Sequence, residues 1–252
     1  MKYFLLLTLF VSQLTVAQSI DETLSGWGLS KYPIEKILAL KANDLKSSSD
    51  DRVMWDRHIL SKEDGKLKLR IEDSYRYNIE SKIDDVLYSS QDKGEFGGEL
   101  GATIDGVYKK LMDGNVRELI RYGNSLYVVE GLGHLGLSRG SVYLIEDVTE
   151  PKTPKRVTLL PEAPAAALLS ENGNLIIAGD RGVYSISEGY FSSLNILYWD
   201  AFWSRIFLWG PTSIVEYEGK YLIGLPQGVA VLEASIYGQP KIALYMKKEF
   251  NK

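Results

Sequence analysis

From residue 96 onward, short apolar runs alternate with polar or glycine-containing turns, and helical periodicity is nearly absent. Gly106-Val107-Tyr108 begins one such run, and related triplets stand at Ser141-Val142-Tyr143, Gly182-Val183-Tyr184 and Gly228-Val229-Ala230. Upstream partners SLYVVEG (125–131), NLIIAG (174–179) and KYLIG (220–224) are apolar runs ending at glycine. Turn dipeptides separate the runs at Asp105-Gly106, Asp113-Gly114, Gly123-Asn124, Asn172-Gly173, Glu218-Gly219 and Gln227-Gly228. Strand-length segments joined by such turns predict antiparallel hairpins. Earlier in the chain, Asp64-Gly65 predicts a hairpin, with Leu67, Leu69 and Ile71 alternating against charges. SKIDDVLYSS (81–90) predicts the start of the first clear repeat, and Pro151 and Pro154 mark a loop or sheet edge. KIALYMKKEF reads as a final strand.

A unit of several strands recurring at roughly 40 residues is the sequence signature of a propeller blade. The chain resembles the broad β-propeller class over about residues 86–235, in its G-V-Y strands and apolar strands ending in glycine. No WD dipeptide, kelch double-glycine or Asp-box recurs in register, so the resemblance is generic. The expectation is an all-β, β-propeller-like fold of about five blades with a short N-terminal helix; the alternative is a β-sandwich. Ile34, Ile37, Leu38 and Leu45 supply the helix face. The expected organisation is a signal peptide at 1–17, an N-terminal segment at 18–50 and the propeller-like domain at 51–252.

Residues 1–17 carry Lys2, an apolar stretch from Tyr3 to Val11 and Ala17 before Gln18. This is the layout of a cleaved signal peptide, with no membrane span left afterwards. Cysteine is absent, which removes thiol nucleophiles, thiolate metal sites and disulfide scaffolds. Periplasmic or secreted location is the expectation. A net charge of −4 leaves no basic surplus for phosphates, which argues against nucleic acid.

Gly131 to Gly140 (GLGHLGLSRG) reads as a lengthened turn whose glycines let backbone amides approach a ligand, with His134 and Arg139 as anion-binding side chains. It has neither P-loop spacing nor a following helix. LYWDAFWSRIFLWG concentrates Trp199, Phe202, Trp203, Phe207 and Trp209, as blade core or as a binding surface; Trp199 and Trp203 are the candidates for exposure. Glu95, Glu99, Asp105 and Asp200 are carboxyls that could serve a glycosidic cleft. With two histidines and no G-x-S-x-G elbow, no zinc site or serine triad can be written. No metal, cofactor or catalytic set is therefore assigned. These features predict an exported, non-enzymatic binding protein of the bacterial envelope, engaging a protein partner as inhibitor or adaptor through His134, Arg139, Trp199 and Trp203. The alternatives are a glycan or cell-wall fragment binder with exposed Trp, and a glycoside hydrolase or lyase using Glu99, Asp105 or Asp200.

Overall fold

The computed structural model describes residues 19–39, 56–72, 78–134, 136–187, 193–206, 210–235 and 238–247. Residues 1–17, Leu45, Phe207 and Trp209 lie outside them. The chain opens with α1 (Ile20–Gly26), β1 (Leu29–Tyr32) and α2 (Ile34–Ala39). Strands β2 (Arg57–Glu63) and β3 (Lys66–Glu72) pair as blade 1. Blade 2 is β4 (Glu80–Ile83), β5 (Val86–Asp92), β6 (Gly98–Ile104) and β7 (Val107–Asp113). Blade 3 is β8 (Val116–Tyr122), β9 (Ser125–His134), β10 (Leu137–Ile145) and β11 (Lys155–Leu160). Blade 4 is β12 (Pro164–Leu169), β13 (Leu175–Gly179), β14 (Gly182–Ile186) and β15 (Leu194–Trp199), after which comes α3 (Trp203–Ile206). Blade 5 is β16 (Ser213–Tyr217), β17 (Lys220–Leu225), β18 (Gly228–Glu233) and β19 (Lys241–Lys247), with β1 added beyond β19. The fold is all-β and propeller-like, as expected, and the described residues form five sheets.

Most of the hairpin turns stand where the dipeptides put them, but Asp113-Gly114 joins β7 of blade 2 to β8 of blade 3 and closes no hairpin. Asp64-Gly65, Asp105-Gly106 and Glu218-Gly219 each hold positive φ at both residues, and each closes a two-residue hairpin. That backbone matches the twist of the flanking strands and favours Asp or Asn followed by Gly. The repeat register needs one correction. Val142, Val183 and Val229 are fully buried on β10, β14 and β18, the third strands of their blades. Val107 is 69% exposed on β7, a fourth strand, so Gly106-Val107-Tyr108 is a look-alike and not the equivalent. The third strand of blade 2 is β6.

Adjacent blades are glued by apolar layers, and period-2 alternation sends neighbouring residues to opposite layers. Val128 packs with Tyr88, Leu100 and Ile145 between blades 2 and 3, whereas Val129 packs with Val142, Leu175 and Ile177 between blades 3 and 4. Ile223 joins Ile176, Ala230 and Trp203 between blades 4 and 5, and Leu222 joins Leu60 and Leu67 between blades 5 and 1. Each such side chain contributes about 1.5–3 kcal/mol by leaving water. The N-terminal segment is woven into this scheme: β1 pairs with β19 from Leu29↔Lys247 to Tyr32↔Leu244. α1 seals the same blade with Ile20 and Leu24, and its start is fixed by a capping box of Ser19 and Glu22. Sequence periodicity pointed to α2 and missed α1.

β8 lies against β12, β12 against β16, and β16 against β2. We call the end at which these strands begin the mouth end. There Gly131 N–H donates to Asn115 O (3.0 Å) within blade 3 and Asp180 N–H to Ala163 O (3.2 Å) within blade 4, whereas Gln227 N–H to Asp56 O (2.9 Å) joins blade 5 to blade 1.

Candidate functional site

Gly131 to Gly140 is not a long loop. β9 runs to His134 and β10 starts at Leu137, with Gly131↔Gly140, Leu132↔Arg139 and His134↔Leu137 in register. The glycines serve packing. A Cβ on Gly131 would stand 2.3 Å from Pro164 Cδ, and one on Gly140 would stand 2.5 Å from the same atom. The ribbon therefore lies flat against the start of β12, and its backbone is not a ligand cradle. Gly133 gives room to a side chain instead, since its Cβ would meet Asp180 Oδ2 at 3.0 Å.

That space holds a polar centre. Asp180 sits in the turn between β13 and β14, and Ser138 Oγ donates to its Oδ2 at 3.0 Å while accepting Ala163 N–H at 2.8 Å. Glu162, 3% exposed, enters from the β11–β12 connection; its Oε1 accepts the Tyr184 hydroxyl at 2.7 Å and its Oε2 has no partner among the described residues. On the other face of the β9–β10 ribbon, Glu130 is 5% exposed. Arg117 lies between the two groups: its guanidinium pairs with Asp92, donates from Nε to Gly131 O (3.2 Å), and acts electrostatically on Asp180 and Glu130.

Burial raises all three carboxyls above their ordinary range. For Asp180 the Ser138 hydroxyl and the charges of Arg117 and Arg181 pull partly back. For Glu130 the opposing influences are Arg139, the Asn115 amide and Arg117. For Glu162 the Arg181 amide and Tyr184 hydroxyl oppose burial, whereas the charge of Asp180 adds to it. Carboxyls that hold a proton into less acidic solution are suited to general acid work. Among the described residues, no three His, Asp or Glu groups converge closely enough to hold a metal ion.

The residues singled out from sequence fall in different places. His134, at the tip of the β9–β10 hairpin, pairs through Nε2 with Glu95 Oε2 at 3.1 Å. Arg139 is exposed and acts on Glu130. Trp199 is 48% exposed, edge-on to Tyr184, and paired with Gly182 beside the Asp180 turn. Trp203 offers no face to a ligand. It is fully buried between blades 4 and 5, packed edge-on with Phe202, and its Nε1 donates to Gly179 O at 3.1 Å. Asp105 and Asp200 are turn residues with positive φ, and Asp200 pairs with Arg205. Glu99 accepts the Tyr108 hydroxyl at 2.8 Å, beside a cavity of about 380 Å³ that Ser89 and Gln91 also line. These three carboxyls do not converge. Asp92, Arg117, Glu130, Glu162 and Asp180 were missed because they arrive from separate strand ends; the signal was a charged residue next to the strand-final glycine in EGLG and AGDRG.

No protein-family model and no curated protein matches the chain. Solved structures give likenesses of fold. A bifunctional GH43-CE protein of Bacteroides eggerthii is 12% identical, with 77% of this chain and 28% of that chain covered and a TM-score of 0.37. Trypanosoma rangeli sialidase is 16% identical, with coverages of 72% and 39% and a TM-score of 0.40. A gluconolactonase from Xanthomonas campestris is 11% identical, with coverages of 65% and 54% and a TM-score of 0.38. This chain thus spans well under two thirds of each. At such TM-scores the likenesses identify no reaction. All three are enzymes, against the expectation of a non-enzymatic binding protein, which rested on seeing no converging catalytic groups in the sequence.

Proposed function

We propose that the mouth end of blades 3 and 4 is the active site of a glycoside hydrolase or lyase. The observation that carries this reading is Asp180: a carboxyl raised by burial, oriented by Ser138 and placed where Gly133 of blade 3 and Gly210, ahead of blade 5, approach it. In the hydrolytic form, protonated Asp180 gives its proton to the glycosidic oxygen as the C–O bond breaks. Water adds to the anomeric carbon and its proton passes to a second carboxylate. The half-exposed indole of Trp199 beside the Asp180 turn supports a sugar as substrate, since an indole face stacks on pyranose C–H groups. The layout of residues 1–17 supports export, and sequencing the N-terminus of the secreted protein, expected to begin at Gln18, tests it.

The test is reducing-end release from a panel of soluble polysaccharides by the chain starting at Gln18. Ultraviolet absorbance of unsaturated products separates elimination from hydrolysis. Asp180→Asn is expected to lower turnover by about 10²–10⁴-fold with the fold intact by circular dichroism. Undiminished turnover in that variant, or no cleavage of any glycan by the folded protein, overturns the reading.

A further inference from the structure

The strongest unexplained surface feature is Phe96, which is 86% exposed on a 3-10 turn, Gly94–Phe96, joining β5 to β6 at the mouth end. A bare phenyl ring in water is unfavourable, and chains usually leave such rings on slack loops or fold them inward. This loop is neither. Lys93 N–H donates to Gly97 O (2.8 Å), Phe96 N–H to Lys93 O (3.1 Å) and Gly97 N–H to Gly94 O (3.2 Å). Gly94 N–H is held by Asp92 Oδ1 (2.8 Å), and Asn115, itself 2% exposed, donates from Nδ2 to Gly94 O (2.7 Å). Asp92 is the carboxylate that pairs with Arg117, so the loop is anchored to the same guanidinium that acts on Glu130 and Asp180.

The ring is set among polar groups. Its neighbour Glu95 reaches across to His134 on the β9–β10 hairpin at 3.1 Å, and both side chains are nearly half exposed. An exposed phenyl ring next in sequence to a carboxylate that meets an imidazole matches a sugar ring, which has apolar C–H faces and a rim of hydroxyls. A lipid surface or an apolar protein patch would call for several such rings together and fewer charges.

The geometry points to a sugar-stacking subsite at the mouth, with Phe96 as its platform and Glu95 and His134 as hydroxyl ligands. It rests on the glycan reading above and adds where an outlying ring of the substrate is held. Because the loop is rigid before the sugar arrives, little ordering cost is left to binding. Phe96 acts on binding and not on bond cleavage.

The probes are xylohexaose, arabinohexaose, cellohexaose and tetragalacturonic acid, titrated calorimetrically into the full-length exported chain carrying Asp180→Asn. Phe96→Ala, added to that background, is expected to weaken binding of the recognised sugar by about tenfold, and Phe96→Tyr to restore it within about twofold. In the active background, Phe96→Ala raises KM by a similar factor with kcat within about twofold. An unchanged Kd in Phe96→Ala, or no binding of any of the four sugars to the folded chain, overturns the subsite. Phe96-dependent binding without cleavage keeps the subsite and removes the hydrolase or lyase reading. Asp180-dependent cleavage that ignores Phe96 does the reverse.

Discussion

Two side chains carry consequences at the scale of the residue. His58 is fully buried, and neither ring nitrogen has a hydrogen-bond partner among the described residues. Burial, helped by Lys247, lowers its pKa from 6.5 to about 4. The unfolded chain therefore binds a proton at 6.5 that the folded chain refuses until about 4. Stability is unaffected above 6.5 and declines as pH falls through that window, by about 3 kcal/mol in full. Denaturant titrations at pH 7, 5.5 and 4 should show that decline, and the difference between wild type and His58→Leu should isolate it from the buried carboxyls, whose raised values act in the opposite direction. A flat difference would remove the effect. Ser138 is the second. Its hydroxyl favours the charged form of Asp180, so Ser138→Ala moves the basic limb of the kcat/KM profile to higher pH. A basic limb left in place would separate Asp180 from proton transfer.

At the scale of the element, hairpins were legible and the catalytic candidates were not. Asp-Gly and Glu-Gly turns act locally, through backbone conformation, so Asp64-Gly65 and Asp105-Gly106 announce themselves in a single sequence. The glycines of 131–140 depend on a partner far along the chain. They suggested a ligand loop because nothing nearby in sequence shows Pro164 pressing on the ribbon. The same distance hid the site: Arg117, Glu130, Glu162 and Asp180 lie on four different strand ends or connections, and only blade stacking unites them. The GVY signal failed at Val107 for a related reason, since third and fourth strands share turn and strand chemistry. The close packing is testable. Gly131→Ala forces Pro164 or the ribbon to shift, at a cost of about 1–3 kcal/mol, which lowers Tm by roughly 5 °C. Gly26→Ala, where a Cβ meets nothing within 4 Å, serves as the neutral control.

At the scale of the whole molecule, alternating strands bury both faces of blades 3, 4 and 5, and the layers between blades 2 and 3, 3 and 4, 4 and 5, and 5 and 1 bind the assembly. The N-terminal segment joins two of these layers, Ile20, Leu24 and Leu29 between blades 5 and 1 and Tyr32 between blades 4 and 5, and all four are buried. A chain starting at Pro33 forfeits those contacts and bares the edge of β19. Its Tm is expected to fall by more than about 10 °C. A synthetic peptide of residues 18–32 added in trans should recover part of the loss, as strand replacement would. Equal melting of the two chains would show that β1 is dispensable.

The pairing of β1 with β19 joins residues 29–32 to residues 244–247. During synthesis β1 has no partner until β19 has been translated. The nascent chain must carry that unpaired edge while blades 1 to 4 are made, and a ribosome that stalls before β19 leaves it bare for proteases and chaperones to find.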